Sequence, residues 1–278
     1  MRRQQEVTRE TAATDDPVRV VQLTDTHLKA FSGGKLLGLD TDASLQAVVD
    51  LVRTEYAAPD LLLGTGDLAD SGAGDAYRRL QAYFGQITDA HYWLPGNHDL
   101  RDVMCDVAGS GRLPGEIRIG NWQVLMLDSQ IPGEVGGHLG PAEMERLDAG
   151  LAAGEREGLN ALVCLHHQPV PVGCTWLDQQ MVSDSRAFFE VLGRYRRARG
   201  VLWGHVHQEL ERVRDGLLLM CSPSTCVQFL PGQEDFAVDY RAPGYRWLEL
   251  HRDGRIDTGV SRVRGYSFSV DRGAGGYL

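Results

Sequence analysis

The chain has 278 residues, 42% hydrophobic and 24% charged, which suits one large soluble domain able to bury a core without covalent staples. Its formal net charge of -10 argues against a nucleic-acid polyanion as main partner. No run approaches the roughly 18–20 consecutive apolar residues that a membrane span needs.

In chain order, residues 1–16 are polar and charged and read as a flexible leader, without the apolar stretch of a secretory signal. A strand-like run follows at 18–23, then a Gly-rich loop, then a helix over 41–56. That helix has Leu45, Val48, Val49, Val52 and Tyr56 at helical spacing behind a Thr41 or Asp42 cap. A strand at 61–63, a helix at 75–84 and a strand at 91–94 continue a βαβ alternation that favours a parallel-rich sheet.

Runs at 116–119 and 122–127 flank Gly120-Asn121, a two-residue hairpin signal. Helical patterns at 141–153 and 183–198 alternate with strands at 161–165 and 201–203, and strands follow at 209–213, 217–221, 245–251 and 255–260. The pattern predicts an α/β domain over 17–265, with two mixed sheets face to face and helices outside, and a tail over 266–278. The five cysteines (Cys105, Cys164, Cys174, Cys221, Cys226) are odd in number and lack C-x-x-C pairs. They fit reduced thiols in the cytoplasm.

Five of these runs end in metal-binding side chains: Asp25-Thr26-His27, Gly66-Asp67, Gly96-Asn97-His98-Asp99, His166-His167 and Gly204-His205-Val206-His207. In α/β sheets, ligands gather beyond the carboxyl ends of the strands, so distant segments can build one site. Asp25 and His27, two apart, share a face of extended backbone and suit one ion, which His207 would complete. Asp67 can bridge two ions, with Asn97, His166 and His205 serving the second. The mixed nitrogen and oxygen set suits Fe, Mn, Zn or Co better than Ca or Mg. A lone D-x-H or H-x-H is commonplace, but packing alone does not explain five such groups in order at strand ends.

In this order, D-x-H, G-D, G-N-H-D, H and G-H-x-H resemble the calcineurin-type metallophosphoesterase superfamily. A narrower likeness lies in Leu23-Thr24-Asp25-Thr26-His27-Leu28, Leu125-Met126-Leu127-Asp128-Ser129-Gln130, Gly173-Cys174-Thr175-Trp176-Leu177-Asp178-Gln179, Gly204-His205-Val206-His207-Gln208-Glu209-Leu210 and Pro223-Ser224-Thr225-Cys226-Val227-Gln228-Phe229. Together these are similar to the bacterial class III 3',5'-cyclic AMP phosphodiesterases, from about residue 18 to the strand ending at Leu250.

The resemblance implies a four-layer α/β/β/α sandwich. It also implies a centre of two divalent metal ions, with iron expected and manganese or zinc as alternatives. The implied activity is hydrolysis of cyclic AMP to 5'-AMP by a metal-bridging hydroxide, lowering intracellular cAMP in the cytoplasm. The partner is then a small molecule, with no nucleic acid and no membrane. The sequence leaves the oligomeric state open between monomer and homodimer.

Of the histidine pair, His166 aligns as ligand, leaving His167 to support it or line the pocket. His98 and Asp99 are the expected catalytic residues. His98 would protonate the leaving oxygen or hold a phosphate oxygen, and Asp99 would orient His98 or a ligand. Substrate contacts are expected from His27, Asp67, Asn97, His98, His167, His207, Trp176 and Thr225, and ordinary packing is the competing account of Trp176. Two rival functions use the same fold: a broad phosphodiesterase acting on glycerophosphodiesters or 2',3'-cyclic nucleotides, and a non-catalytic nucleotide-binding regulator.

Overall fold

The computed structural model describes residues 6–9 and 16–271. Its first half alternates strand and helix: β1 (Glu6–Arg9), β2 (Val18–Leu23), the short pair β3 (Lys35–Leu36) and β4 (Leu39–Asp40), α1 (Thr41–Glu55), β5 (Leu61–Thr65), α2 (Gly74–Gly85), β6 (His91–Leu94) and α3 (Arg101–Ala108). The hairpin β7 (Glu116–Ile119) and β8 (Trp122–Met126) leads to α4 (Gly140–Glu157), β9 (Asn160–Cys164), the single turn α5 (Thr175–Asp178), α6 (Ser185–Leu192) and β10 (Ala198–Trp203). Strands alone follow: β11 (Leu210–Arg214), β12 (Leu217–Cys221), the short pair β13 (Gln228–Phe229) and β14 (Val238–Asp239), then β15 (Gly244–Leu250) and β16 (Ile256–Arg262).

Two mixed sheets result. One has seven strands in the order β1-β7-β8-β9-β10-β12-β11, the other five in the order β16-β15-β2-β5-β6. Strands β2, β5 and β6 run parallel, as do β8, β9, β10 and β12, so the carboxyl ends within each set lie on one edge. Between the sheets lies an apolar layer containing Val20, Leu61, Leu63 and Leu248 from the five-stranded sheet and Val124, Leu162, Leu202 and Met220 from the seven-stranded one. Helices α1, α2 and α3 bury Leu45, Val48, Leu80 and Met104 on the outer face of the five-stranded sheet, and α4 and α6 bury Leu147 and Phe188 on the other. Full burial of each such side chain is worth about 1.5–3 kcal/mol. The outcome is the α/β/β/α sandwich. No helix among the described residues is long and apolar enough to cross a membrane.

Local chemistry corrects several expectations. The cap of α1 is Asp40, one residue before the expected Thr41 and two before the alternative Asp42, and its carboxylate accepts from Ala43 N at 2.9 Å. Helix α6 stops at Leu192 instead of running to 198, because Gly193 and Arg194 enter a turn in which Tyr195 Oη donates to Asp148 at 2.7 Å.

The leader expected to be flexible contains β1, which pairs parallel with β7. Val7 packs on the inter-sheet layer and Glu6 lies 3.0 Å from Arg118, a gain that charge composition alone hides. The remainder of that leader, residues 1–5 and 10–15, lies outside the described residues. In the expected tail, Tyr266, Phe268 and Val270 pack partly buried on the core and Asp271 N donates to Leu37 O at 3.0 Å; residues 272–278 lie outside the described residues.

Candidate metal centre and active site

The loops after β2, β5 and β6 carry Asp25 and His27, Asp67, and Asn97 with His98. Those after β9 and β10 carry His166 with His167, and His205 with His207. The first three loops leave the five-stranded sheet and the last two the seven-stranded sheet, so the cluster straddles both. Seven non-glycine residues among those described have positive φ, and five of them are Asp25 (53°), His27 (43°), Asp67 (50°), His205 (64°) and His207 (50°). Such backbone costs of order 1–3 kcal/mol per residue and persists only where its surroundings enforce it.

The enforcement is visible. Asp25 N donates to Gly66 O at 3.0 Å, His27 N to Asp67 O at 2.9 Å, and His205 N to Asp25 Oδ1 at 3.0 Å. Two glycines are required by close approach: a Cβ on Gly66 would enter the His166 ring, and one on Gly96 would enter the Asp67 carboxylate.

The donors form two groups that share Asp67. In the first, His27 Nε2 lies 3.2 Å from His207 Nε2 and 3.8 Å from Asp67 Oδ2, and His207 Nε2 lies 3.4 Å from Asp25 Oδ1. In the second, His166 Nε2 lies 3.2 Å from Asp67 Oδ2 and 3.3 Å from Asn97 Oδ1, and Asn97 Oδ1 lies 3.1 Å from His205 Nδ1.

On two of these rings the opposite nitrogen is already committed. His166 Nδ1 donates to Thr65 O at 2.8 Å and His207 Nδ1 to Val227 O at 2.7 Å, because a carbonyl can only accept. Each Nε2 is thereby turned into the cluster to take a proton or a cation. Asp25 Oδ2 is buried with no hydrogen-bond partner among the described residues. This crowd of nitrogen and oxygen donors, with a buried carboxylate oxygen to spare, fits a site for two divalent cations.

The electrostatics agree with that fit. Burial is the main cause holding His27 and His205 well below the usual histidine range, so both are neutral donors. Burial opposes charge on His166, but the Asp67 carboxylate outweighs it and lifts the group to about 9, which marks a place that attracts positive charge. Burial also opposes charge on Asp67, yet His166, His98 and His27 hold it well below the carboxylate range.

His98 stands beside both groups. Its backbone N donates to Asp67 Oδ1 at 2.9 Å, its Nδ1 pairs with Asp70 O at 3.0 Å, and its ring meets the His27 ring edge-on at 4.9 Å. Burial works against its protonation, but Asp67 and the Asp70 carbonyl outweigh it and raise its pKa above the usual value.

A cavity of about 240 Å³ opens above the donors, with Asp67, Asn97, His98, His205 and His207 on its lining. Val135, Trp176, Leu177, Gln180 and Phe229 form the rest of the wall. Trp176 packs edge-on to Phe229 at 5.1 Å, and Phe229 stacks on His207 at 4.1 Å, so an aromatic shelf reaches the donor groups.

Four of the expected catalytic and substrate-contacting residues, Asp99, His167, Thr225 and His27, are absent from that lining. Asp99, expected to act with His98, is 1% exposed and accepts from Leu68 N, Ala69 N, Gly96 N and Tyr77 Oη at 2.8–3.1 Å, clamping the Asp67 loop to the Asn97 loop. Burial, then the Asp67 charge, raises its pKa to about 6. His167, expected to contact substrate, is fully buried between Ser129 Oγ at 2.8 Å and Val135 O at 3.1 Å, and burial, then His166, lowers it to about 3. Thr225, also expected in the pocket, is 1% exposed; its N donates to Thr24 O at 3.1 Å and its carbonyl accepts from Ser44 Oγ at 2.6 Å, tying the Asp25 loop to α1. His27 is fully buried beneath the cavity lining, within the first donor group.

Sequence reasoning missed Gln180, whose Oε1 lies 3.0 Å from His205 Nε2, and Gln130, whose amide donates to Gly96 O and Asp99 O. It also missed the carbonyl of Asp70. Gln130 closes the L-D-S-Q run of the family resemblance, where it was given no role, and Gln180 directly follows the W-L-D-Q run, the one signal that could have found them.

The calcineurin-like phosphoesterase family profile matches residues 18–209. The 3',5'-cyclic adenosine monophosphate phosphodiesterase CpdA of Pseudomonas aeruginosa is 46% identical over 269 residues, covering 96% of this chain and 98% of that protein. The protein of the same name from Escherichia coli strain K12 is 40% identical over 264 residues, covering 94% and 95%. Among solved structures, a dimetal phosphatase from Danio rerio superposes with a TM-score of 0.59 at 15% identity, covering 89% of this chain and all of the other, a likeness of fold.

Proposed function

This chain belongs to the calcineurin-like phosphoesterase family, and on that premise we propose that it hydrolyses 3',5'-cyclic AMP to 5'-AMP, using two divalent metal ions. The observation that carries this reading is that both donor groups and His98 meet one small cavity walled by Trp176 and Phe229. Asp25, His27, Asp67 and His207 would hold one ion; Asp67, Asn97, His166 and His205 would hold the other. Iron is the expected metal, with manganese or zinc as alternatives. When bound, the ions would neutralise phosphate charge and lower the pKa of water towards neutrality.

The protein's own groups supply the rest. Water adds to phosphorus opposite the ribose 3'-oxygen, the bond from phosphorus to that oxygen breaks, and the oxygen takes a proton. His98 is the donor of that proton, or of a hydrogen bond to a phosphate oxygen. The Asp70 carbonyl fixes its ring and Asp67 favours its protonated form. The Trp176 and Phe229 shelf offers a π-face and edges to a base, while Gln180 offers an amide.

The test takes metal-free protein, restores Fe(II), Mn(II) or Zn(II) singly, and compares cleavage of 3',5'-cAMP, 3',5'-cGMP, 2',3'-cAMP and glycerophosphocholine with product identification. Metal-dependent 5'-AMP is expected as the dominant product. Faster cleavage of 2',3'-cAMP or glycerophosphocholine would overturn the substrate assignment and leave the two-metal centre standing.

A further inference from the structure

The two donor groups are each completed across the gap between the sheets. Asp25, His27, Asp67 and Asn97 come from the five-stranded sheet, and His166, His205 and His207 from the seven-stranded one. Sheet separation at this edge therefore sets the distances within both groups. An apolar layer fixes separation loosely, since side chains can repack, whereas a hydrogen-bonded buried group fixes it by direction and length.

At this edge the apolar layer gives way to polar side chains. Gln22 and Arg246 are directly paired across β2 and β15, and both are fully buried. Gln22 Nε2 donates to Thr65 Oγ1 at 2.6 Å and, across the gap, to Trp203 O at 3.2 Å. Its Oε1 accepts from Oγ of Ser222, the residue directly after β12 of the opposite sheet, and Ser222 Oγ accepts from Arg246 Nε at 3.2 Å. The Arg246 guanidinium reaches Cys221 O at 2.8 Å and Glu211 Oε1 at 2.6 Å, both across the gap.

The attachment points matter as much as the bonds. Gln22 lies three residues before Asp25, Thr65 two before Asp67, Trp203 two before His205, and the Thr65 carbonyl itself receives the His166 ring. One amide thus grips the roots of three donor loops, and its neighbour Thr65 orients a ring in a fourth.

Resting on the two-metal reading above, we infer that Gln22, Ser222 and Arg246 form an inter-sheet clamp that positions the two halves of the metal centre. They are positioning residues that touch neither metal nor substrate. A purely structural role predicts lost stability alone; the clamp predicts altered metal binding beyond any loss of stability.

The experiment loads the full-length protein with Mn(II), measures affinity by titration, and reads coupling between the two ions by electron paramagnetic resonance. The variants are Gln22→Met, Ser222→Ala and Ser222→Thr, with Leu147→Ala as a control that opens a cavity beneath α4. Gln22→Met and Ser222→Ala are expected to weaken Mn(II) binding about ten- to a hundredfold, the range for groups that orient ligands, and to change the coupling signal. Ser222→Thr, which keeps the hydroxyl, should restore both, and Leu147→Ala should lower Tm without moving either. Ser222→Ala is the mild variant should Gln22→Met fail to fold. Parental affinity and coupling in folded Ser222→Ala would overturn the clamp. A parent that binds no coupled pair would overturn the two-metal reading itself, a result distinct from an altered substrate preference.

Discussion

At the scale of single residues, His98 and Asp67 respond differently to loss of their side chains. Asp67 belongs to both donor groups and also accepts from His98 N, so Asp67→Ala removes the shared oxygen and the anchor of the neighbouring loop. His98 lines the cavity but is expected to bind no metal. His98→Ala should keep two equivalents of metal while kcat falls about 10²–10⁴-fold, the range for a lost proton donor. Asp67→Ala should lose both metal and turnover. Elemental analysis beside steady-state kinetics separates the two, and full metal occupancy in Asp67→Ala would sink its bridging role. Asp25, His27, Asp67, Asn97 and the histidines could be read from the sequence because each follows a short apolar run, so chain position foretold a place in space. The Asp70 carbonyl could not, since every residue carries a carbonyl and only the fold decides which one meets His98.

Among elements, α2 is tied to the active loops through one hydroxyl. Tyr77 Oη donates to Asp99 Oδ1 at 2.8 Å and accepts from Leu100 N at 3.0 Å, connecting the helix to the β6 loop and, through Asp99, to the β5 loop. Tyr77→Phe preserves the stacked contact with Trp93 but strands Leu100 N and takes one donor from Asp99. The expected cost is about 1–3 kcal/mol, that of an unsatisfied buried group. It should appear as a lower urea midpoint at unchanged slope, and an unshifted midpoint would show that water or loop relaxation replaces the hydroxyl. Elements were legible where periodicity and punctuation agree: Gly120-Asn121 marked the β7–β8 hairpin, and Pro141 the start of α4. Strand β1 was not, because four residues amid charge carry too little apolar pattern and owe their pairing to the distant β7. The end of α6 was overestimated because the apolar spacing continues past Leu192 while Tyr195 is drawn off by Asp148.

Across the whole molecule, the dependence of stability on pH has a contributor remote from the metal centre. His91, on β6, is 1% exposed, accepts from Trp93 Nε1 at 3.1 Å and packs against Phe84. Burial, then the Arg112 guanidinium, lowers its pKa to about 3. The unfolded chain would protonate this histidine near its ordinary 6.5, so between pH 6.5 and 3 the unfolded state holds more protons than the folded one. Stability from this group is therefore fully present above pH 6.5 and drains away as pH falls towards 3, by about 2 kcal/mol between pH 6.5 and 4.5. Asp99 acts in the opposite sense: its pKa, raised to about 6, favours the folded state as pH falls from 6 towards 3.8, so the parent curve mixes the two. Comparison with His91→Gln separates them, because glutamine keeps an acceptor for Trp93 Nε1 and cannot titrate. Urea unfolding at pH 7.5, 6.5, 5.5 and 4.5 should show a shallower acid decline in the variant, with the gap between the two proteins narrowing by about 2 kcal/mol from pH 6.5 to 4.5. Parallel curves would mean that His91 takes up its proton in the folded protein without penalty, through an opening of the β6 edge that admits water to the ring.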